Sequence, residues 1–266
     1  MHEENGGMGL PQMSEREMLQ RLLSEDFERG QDEPAIAASI GEQMLHMDLM
    51  PLPRSMRARI RDACSRLPSR NVTLVGGGIG HLAAWMFDLW CGPLDGLGLV
   101  SSHKPDTFRI VEPGTRFGVI IDRLIRRYDA SSWAQVIALP WPEVSAEAAS
   151  WKAASATLAE APQQTILPMP SDLVIIDLPE EERAAAAASA FEIIAPGGVI
   201  LVQEPEVPTG DVGTPQEDDE PTPAQSKVSS FNSWIELIKD VNENHALGFA
   251  ELTGGILVAL LRTDSD

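Results

Sequence analysis

From Asn71 onward the chain alternates short apolar runs with longer helical patterns, and no other feature restricts its fold as much. Val72–Val75, Phe108–Val111, Gln135–Leu139, Leu173–Ile176 and Val199–Val202 are rich in β-branched residues and apolar at successive positions. Strands that alternate water-facing and core-facing residues read differently. Runs apolar on both faces belong to parallel strands covered on either side. Helical spacing separates them, clearest in Phe117, Ile120, Ile121, Leu124 and Ile125, and again through Ala184–Ile194. Ala195-Pro196-Gly197-Gly198 is read as the stop of that second helix. The alternation predicts a parallel sheet with helices on both faces.

The two ends of the chain differ from this middle. Residues 1–12 are polar and Gly-rich and are expected to form a disordered tail. Residues 13–69 read as a helical segment. Ser14 and Glu17 fit a capping box ahead of Met18, Leu19, Leu22, Leu23 and Phe27. A second helix is expected from Pro34, and a third beyond Pro51 and Pro53, carrying Met56, Ile60, Ala63 and Leu67. The third helix also carries Arg54, Arg57, Arg59, Arg61 and Arg66, which are expected to form a solvated face rather than an anion site. Residues 70–263 make the α/β domain. Within it, 204–226 hold seven acids among five prolines and read as a flexible acidic loop; its part from about Glu206 to Gln225 is expected to be either a mobile cover over a site at the end of the fifth strand or a surface insertion with no role. Phe231, Trp234, Ile235, Ile238 and Val241 then mark an amphipathic helix. Leu247–Leu252 and Ile256–Leu261 flank Thr253-Gly254-Gly255 as a hairpin.

Charge and cysteine content narrow the class. Forty Asp+Glu against 20 Lys+Arg give a formal charge of −20, unsuited to a phosphate backbone or an anionic membrane surface. Cys64 and Cys91 make neither a disulfide framework nor a metal-type pair, and they read as buried thiols of a cytoplasmic protein. The N-terminus has no basic region followed by an apolar one, so no secretory signal is expected.

The sharpest motif is Thr73-Leu74-Val75-Gly76-Gly77-Gly78-Ile79-Gly80, leaving the first strand and entering a helix at His81. Glycines there let a ligand approach the main chain, and the helix N-terminus adds unpaired N–H groups. The bland alternative is close packing of strand on helix. His81 stands where a dinucleotide fingerprint has its third glycine, which argues against NAD or FAD. The second strand ends in Glu112, followed by Pro113-Gly114. A carboxylate at that tip can accept hydrogen bonds from both ribose hydroxyls of a nucleoside, and its place straight after an apolar run favours this over an ordinary turn residue.

With these motifs the sequence resembles class I S-adenosylmethionine-dependent methyltransferases. It is most similar to the bacterial O-methyltransferases related to catechol O-methyltransferase. The resemblance runs from about Met18 to Arg262. It includes Asp172-Leu173-Val174-Ile175-Ile176-Asp177, Pro196-Gly197-Gly198-Val199-Ile200 and the tail from Phe231-Asn232 to Gly254-Gly255-Ile256. It implies a Rossmann-like, seven-stranded mixed sheet closed by an antiparallel hairpin. It also implies S-adenosyl-L-methionine held by Gly76, Gly78, Gly80 and Glu112, with Trp141 either against the adenine or in the core. The implied activity is methylation of an oxygen on a small molecule. The partners expected are that acceptor and a second copy of the chain, with no nucleic acid and no membrane.

The chain departs from the pattern at several places. Leu74 replaces an acid, and Asp177-Leu178-Pro179-Glu180 replaces the Asp-Ala-Asp-Lys of metal-dependent members. Gln203-Glu204 stands where they have Asp-Asn. Mg²⁺ asks for several hard oxygens, so a divalent metal is not expected. The base candidates are then Asp177, Glu204 and His81, with Asp177 and Glu204 preferred and His81 read as a plain helix-start residue. The alternative function is a catalytically degenerate relative that binds the cofactor, or nothing, and serves as a dimeric interaction protein.

Overall fold

A computed structural model describes residues 13–94, 96, 100–101, 103–157, 165–209 and 222–263. The expected tail at 1–12 and most of the expected acidic loop lie outside the described residues. Three helices come first: α1 (Glu15–Leu22), α2 (Ala35–His46) and α3 (Arg54–Arg66). The reciprocal Ser14–Glu17 capping box at the start of α1 is present.

The alternating part follows as β1 (Asn71–Val75), α4 (His81–Cys91), β2 (Thr107–Val111), α5 (Thr115–Arg127), β3 (Ala134–Ile137), α6 (Trp141–Thr157), β4 (Ser171–Ile176), α7 (Glu180–Ile193) and β5 (Ile194–Gln203). After α8 (Pro223–Asn244), β6 (Ala246–Leu252) and β7 (Gly255–Leu261) form the hairpin. The strands lie in one seven-stranded sheet in the order β3-β2-β1-β4-β5-β7-β6. β1 to β5 pair in parallel, and β7 runs antiparallel to both β5 and β6. The chain steps outward from β1 to β2 and β3 on one side, then crosses back from β3 to β4 on the other side of β1. The carboxyl ends of these strands therefore open onto a crevice at the switch point.

Period-two alternation builds two cores from the same strands. Leu74, Ile175 and Leu201 face one side, with α1 to α5. Val75, Ile176 and Val202 face the other, with α6, α7 and α8. Several elements differ from the sequence reading: α1 ends at Leu22, so Phe27, expected on that helix, lies beyond it and is exposed. α8 begins inside the stretch read as loop, because Thr222 caps Gln225 reciprocally and Pro223 occupies the first turn, where its missing N–H costs nothing. β5 starts at Ile194, and Gly197 donates its N–H to the Arg262 carbonyl. α6 carries no strong apolar stripe and is not marked in the sequence. It buries Trp141, Val144, Ser145 and Ala148 against the sheet.

Candidate active site

β1 ends at Val75 and its glycines turn immediately. The N–H groups of Gly76 and Gly77 both point to the Val111 carbonyl of β2, at 3.0 and 3.3 Å, which ties the loop to the neighbouring strand. Two of these glycines are explained by packing alone. A Cβ on Gly76, at φ +87°, would lie 2.1 Å from the Asp177 carbonyl oxygen, and one on Gly77 would lie 2.6 Å from Ile110. Gly78 is different. It holds φ +51° with nothing within 4 Å of where a Cβ would stand, so its backbone faces open space. Gly80, at φ +92°, is the N-cap of α4.

The Gly78 N–H donates to Glu112 Oε2 at 2.7 Å, and the Gly114 N–H donates to Glu112 Oε1 at 2.8 Å. Glu112 is buried, which pushes its carboxyl up from the usual range, and these two backbone donors oppose that rise. The carboxylate is thus fixed between the loops that follow β1 and β2, and each oxygen keeps a lone pair for a further donor.

Asp177 sits at the exit of β4, its N–H bonded to the Val75 carbonyl at 2.8 Å. Among the described residues nothing donates to its carboxylate. Burial pushes the carboxyl up to about 7, against the pull of the Arg183 and Arg57 guanidinium groups. Glu204, one strand over, has Oε1 engaged by the Trp234 indole N–H of α8 at 3.2 Å. Gln203 turns away and donates its amide to the Gly254 carbonyl. Trp141 is buried at the start of α6, and its indole N–H donates to Ser189 Oγ of α7 at 2.8 Å. Leu74 is wholly buried core.

His81 is not a plain helix-start residue. It is buried, with Nε2 2.9 Å from Glu33 Oε1 and the ring 2.9 Å from Arg57 Nη1. Burial and the Arg57 charge hold its pKa below the usual imidazole value. The arginine run also needs correction. Arg57 and Arg61 are buried, both lying over the Trp85 ring. Arg57 pairs with Glu33 at 2.9 Å and Arg61 with Asp62 at 2.6 Å. The helix phase carried this signal. Arg57 and Arg61 fall on one stripe with Ile60 and Cys64, so they had to turn inward with them.

Arg183 escaped the sequence reading as well. It stands in the first turn of α7 behind three glutamates, where a cation opposes the helix dipole and needs another reason to be present. The reason is local: Nε donates to the Leu178 carbonyl at 2.9 Å and Nη1 lies 3.5 Å from the Gln203 carbonyl.

No family model matches the sequence, and no curated protein matches it. Solved structures do. An O-methyltransferase from Bacillus cereus in complex with S-adenosylhomocysteine superposes with a TM-score of 0.58 at 15% identity, covering 87% of this chain and 92% of that one. The fold is that of the class I methyltransferases. A Streptomyces achromogenes O-methyltransferase involved in tomaymycin synthesis, in complex with S-adenosylmethionine, gives 0.56 at 16% identity over 94% and 100% of the two chains. A methyltransferase from Podospora anserina bound to S-adenosylhomocysteine gives 0.55 at 10% identity over 87% and 89%. Among the described residues no helix is long and apolar enough to cross a membrane, and no cluster of three His, Cys, Asp or Glu could hold a metal.

Proposed function

We propose that this chain transfers a methyl group from S-adenosyl-L-methionine to an oxygen of a small molecule. The reading rests on Gly78 and Glu112: a half-buried glycine with open space where a Cβ would stand, bonded at 2.7 Å to a fixed carboxylate, at the switch point of a methyltransferase fold. Glu112 has lone pairs for the two ribose hydroxyls. Gly78 and Gly80, with Gly76 setting the turn, are assigned the methionine part of the cofactor, whereas Trp141, buried in the core with its indole N–H on Ser189, fits the core alternative rather than the adenine. The bound cofactor supplies a methyl carbon on a positive sulfur.

The residues of the chain then have little covalent work. Holding the acceptor oxygen in line and keeping water out supplies much of the rate. Asp177, with its carboxylate unclaimed by the described residues, takes the acceptor's proton, and Glu204 is the second acid at this end of the sheet. Calorimetric titration with S-adenosylhomocysteine tests the reading, and no heat of binding would refute it. One observation favours a second reading. Glu204 is held by Trp234, so a degenerate homodimeric binding protein follows if cofactor binds but no acceptor is methylated. In either case the setting proposed is cytoplasmic, consistent with Cys64 and Cys91 both being free thiols.

A further inference from the structure

The metal-dependent relatives that the sequence resembles place a divalent cation between the exits of the fourth and fifth strands. The residues here do not fit one. Such an ion needs about six oxygen ligands, largely from carboxylates, carbonyls and water. At this place Gln203 Nε2 donates to the Gly254 carbonyl, Glu204 Oε1 accepts from the Trp234 indole, and the Asp177 carboxylate has no donor among the described residues, so three oxygen-bearing side chains at most remain and two of them are tethered. What occupies the gap is Arg183. Its side chain is nine-tenths buried, and its guanidinium reaches the Leu178 carbonyl beside Asp177 and approaches the Gln203 carbonyl beside Glu204. A fixed positive charge there repels a second cation at short range.

Resting on the methyltransferase reading, we infer that the Arg183 guanidinium is the resident cation of this site and that the acceptor presents one phenol-like hydroxyl to it, rather than the vicinal pair of oxygens that chelates a metal. Glu180, Glu181 and Glu206 bear electrostatically on Arg183, and Lys227 pairs with Glu180 and Glu206 at 3.7 and 3.5 Å, so the acids near the guanidinium are themselves partly balanced. On the other flank Arg57 spends its two terminal nitrogens on His81 and Glu33, and its buried Nε has no partner.

The step balances without a metal. The hydroxyl proton passes to Asp177, and the oxygen lone pair forms the new C–O bond. The C–S bond breaks with its electrons left on sulfur. Arg183 stabilises the negative charge that gathers on oxygen while the proton leaves.

The test uses the full chain in the presence of S-adenosylhomocysteine. 4-Nitrophenol is titrated in and its phenolate absorbance followed; in parallel, Mn²⁺ is titrated in and followed by electron paramagnetic resonance. The expected result is saturable phenolate binding that Arg183→Met weakens by roughly tenfold or more and Arg183→Lys partly restores. Mn²⁺ should show no saturable site that depends on Asp177. Phenolate binding that is absent, or equal in the wild type and Arg183→Met, overturns the inference. So does a Mn²⁺ site lost in Asp177→Asn. Calorimetry with S-adenosylhomocysteine separates the two levels: failure of the wild type to bind it defeats the methyltransferase reading itself, whereas normal binding with unaltered phenolate defeats only this inference. Should Arg183→Met not fold, Arg183→Lys and the Mn²⁺ titration still decide.

Discussion

Glu112 ties two loops together with one carboxylate. It clasps the N–H groups of Gly78 and Gly114, and in the proposed function it also receives a ribose. Glu112→Ala is expected to weaken S-adenosylhomocysteine binding at least about tenfold, since charge-assisted hydrogen bonds are worth roughly 1.5–3 kcal/mol each. Calorimetry measures this, and unchanged affinity would leave the acid as a loop clamp only. Asp177 yields a pH prediction. Its folded pKa is raised to about 7 by burial, above the ordinary value of 3.8, so the folded chain keeps this proton longer than the unfolded chain. Stability from this group is therefore lost as pH rises between those two values, while its competence as a base is gained. Turnover should climb about tenfold per pH unit below 7 and then level. Asp177→Asn should be inactive, yet gain stability relative to the wild type between about pH 4 and pH 8, read by urea denaturation at both ends.

Among elements, the junction of α3 with α4 buries a charged group, Arg57 set against His81 and Glu33. Arg57→Ala would strand Glu33 and His81 without their cation in a mostly buried setting. Breaking such a pair typically costs about 3–5 kcal/mol, which denaturant titration would show as a lower midpoint with an unchanged slope. The same junction shows what the sequence could not display. The strands of the parallel sheet, the glycine turn and the hairpin were legible because each is written in neighbouring residues. The Glu33–His81 contact joins residues 48 apart, and only the inward phase of Arg57 and Arg61 hinted at it. α6 was illegible for another reason: an alanine-rich helix packs with small side chains, so its buried face differs little from its exposed one. At the site, Glu112 and Asp177 were visible as acids ending apolar runs. Arg183 was hidden by its place in a solvated-looking glutamate cluster.

At the scale of the whole molecule, the N-terminal helices are built into the core of the α/β unit. Leu19, Leu22, Met56 and Ile60 belong to the same buried cluster as Leu74, Phe87 and Leu257. α1 lies on β6 so closely that a Cβ on Gly248 would come within 2.8 Å of Leu19. The second core shares its strands with the first, since Leu74 and Val75, or Ile175 and Ile176, point to opposite faces. Losing either layer therefore exposes the back of the other, and neither can unfold alone without baring apolar strand surface. The expected outcome is a single cooperative transition. Two indoles report on the two layers separately: Trp85 is buried in α4 on one face and Trp234 in α8 on the other. With the other tryptophans replaced by Phe, single-indole variants retaining Trp85 or Trp234 should give coincident denaturation curves, matching far-ultraviolet circular dichroism. A chain beginning at Asn71 should fail to fold, because α4 would then present a nearly all-apolar face to water. Transitions separated between the two indoles, or a folded truncated chain, would show instead that the helical segment is an independent unit docked on a self-sufficient sheet.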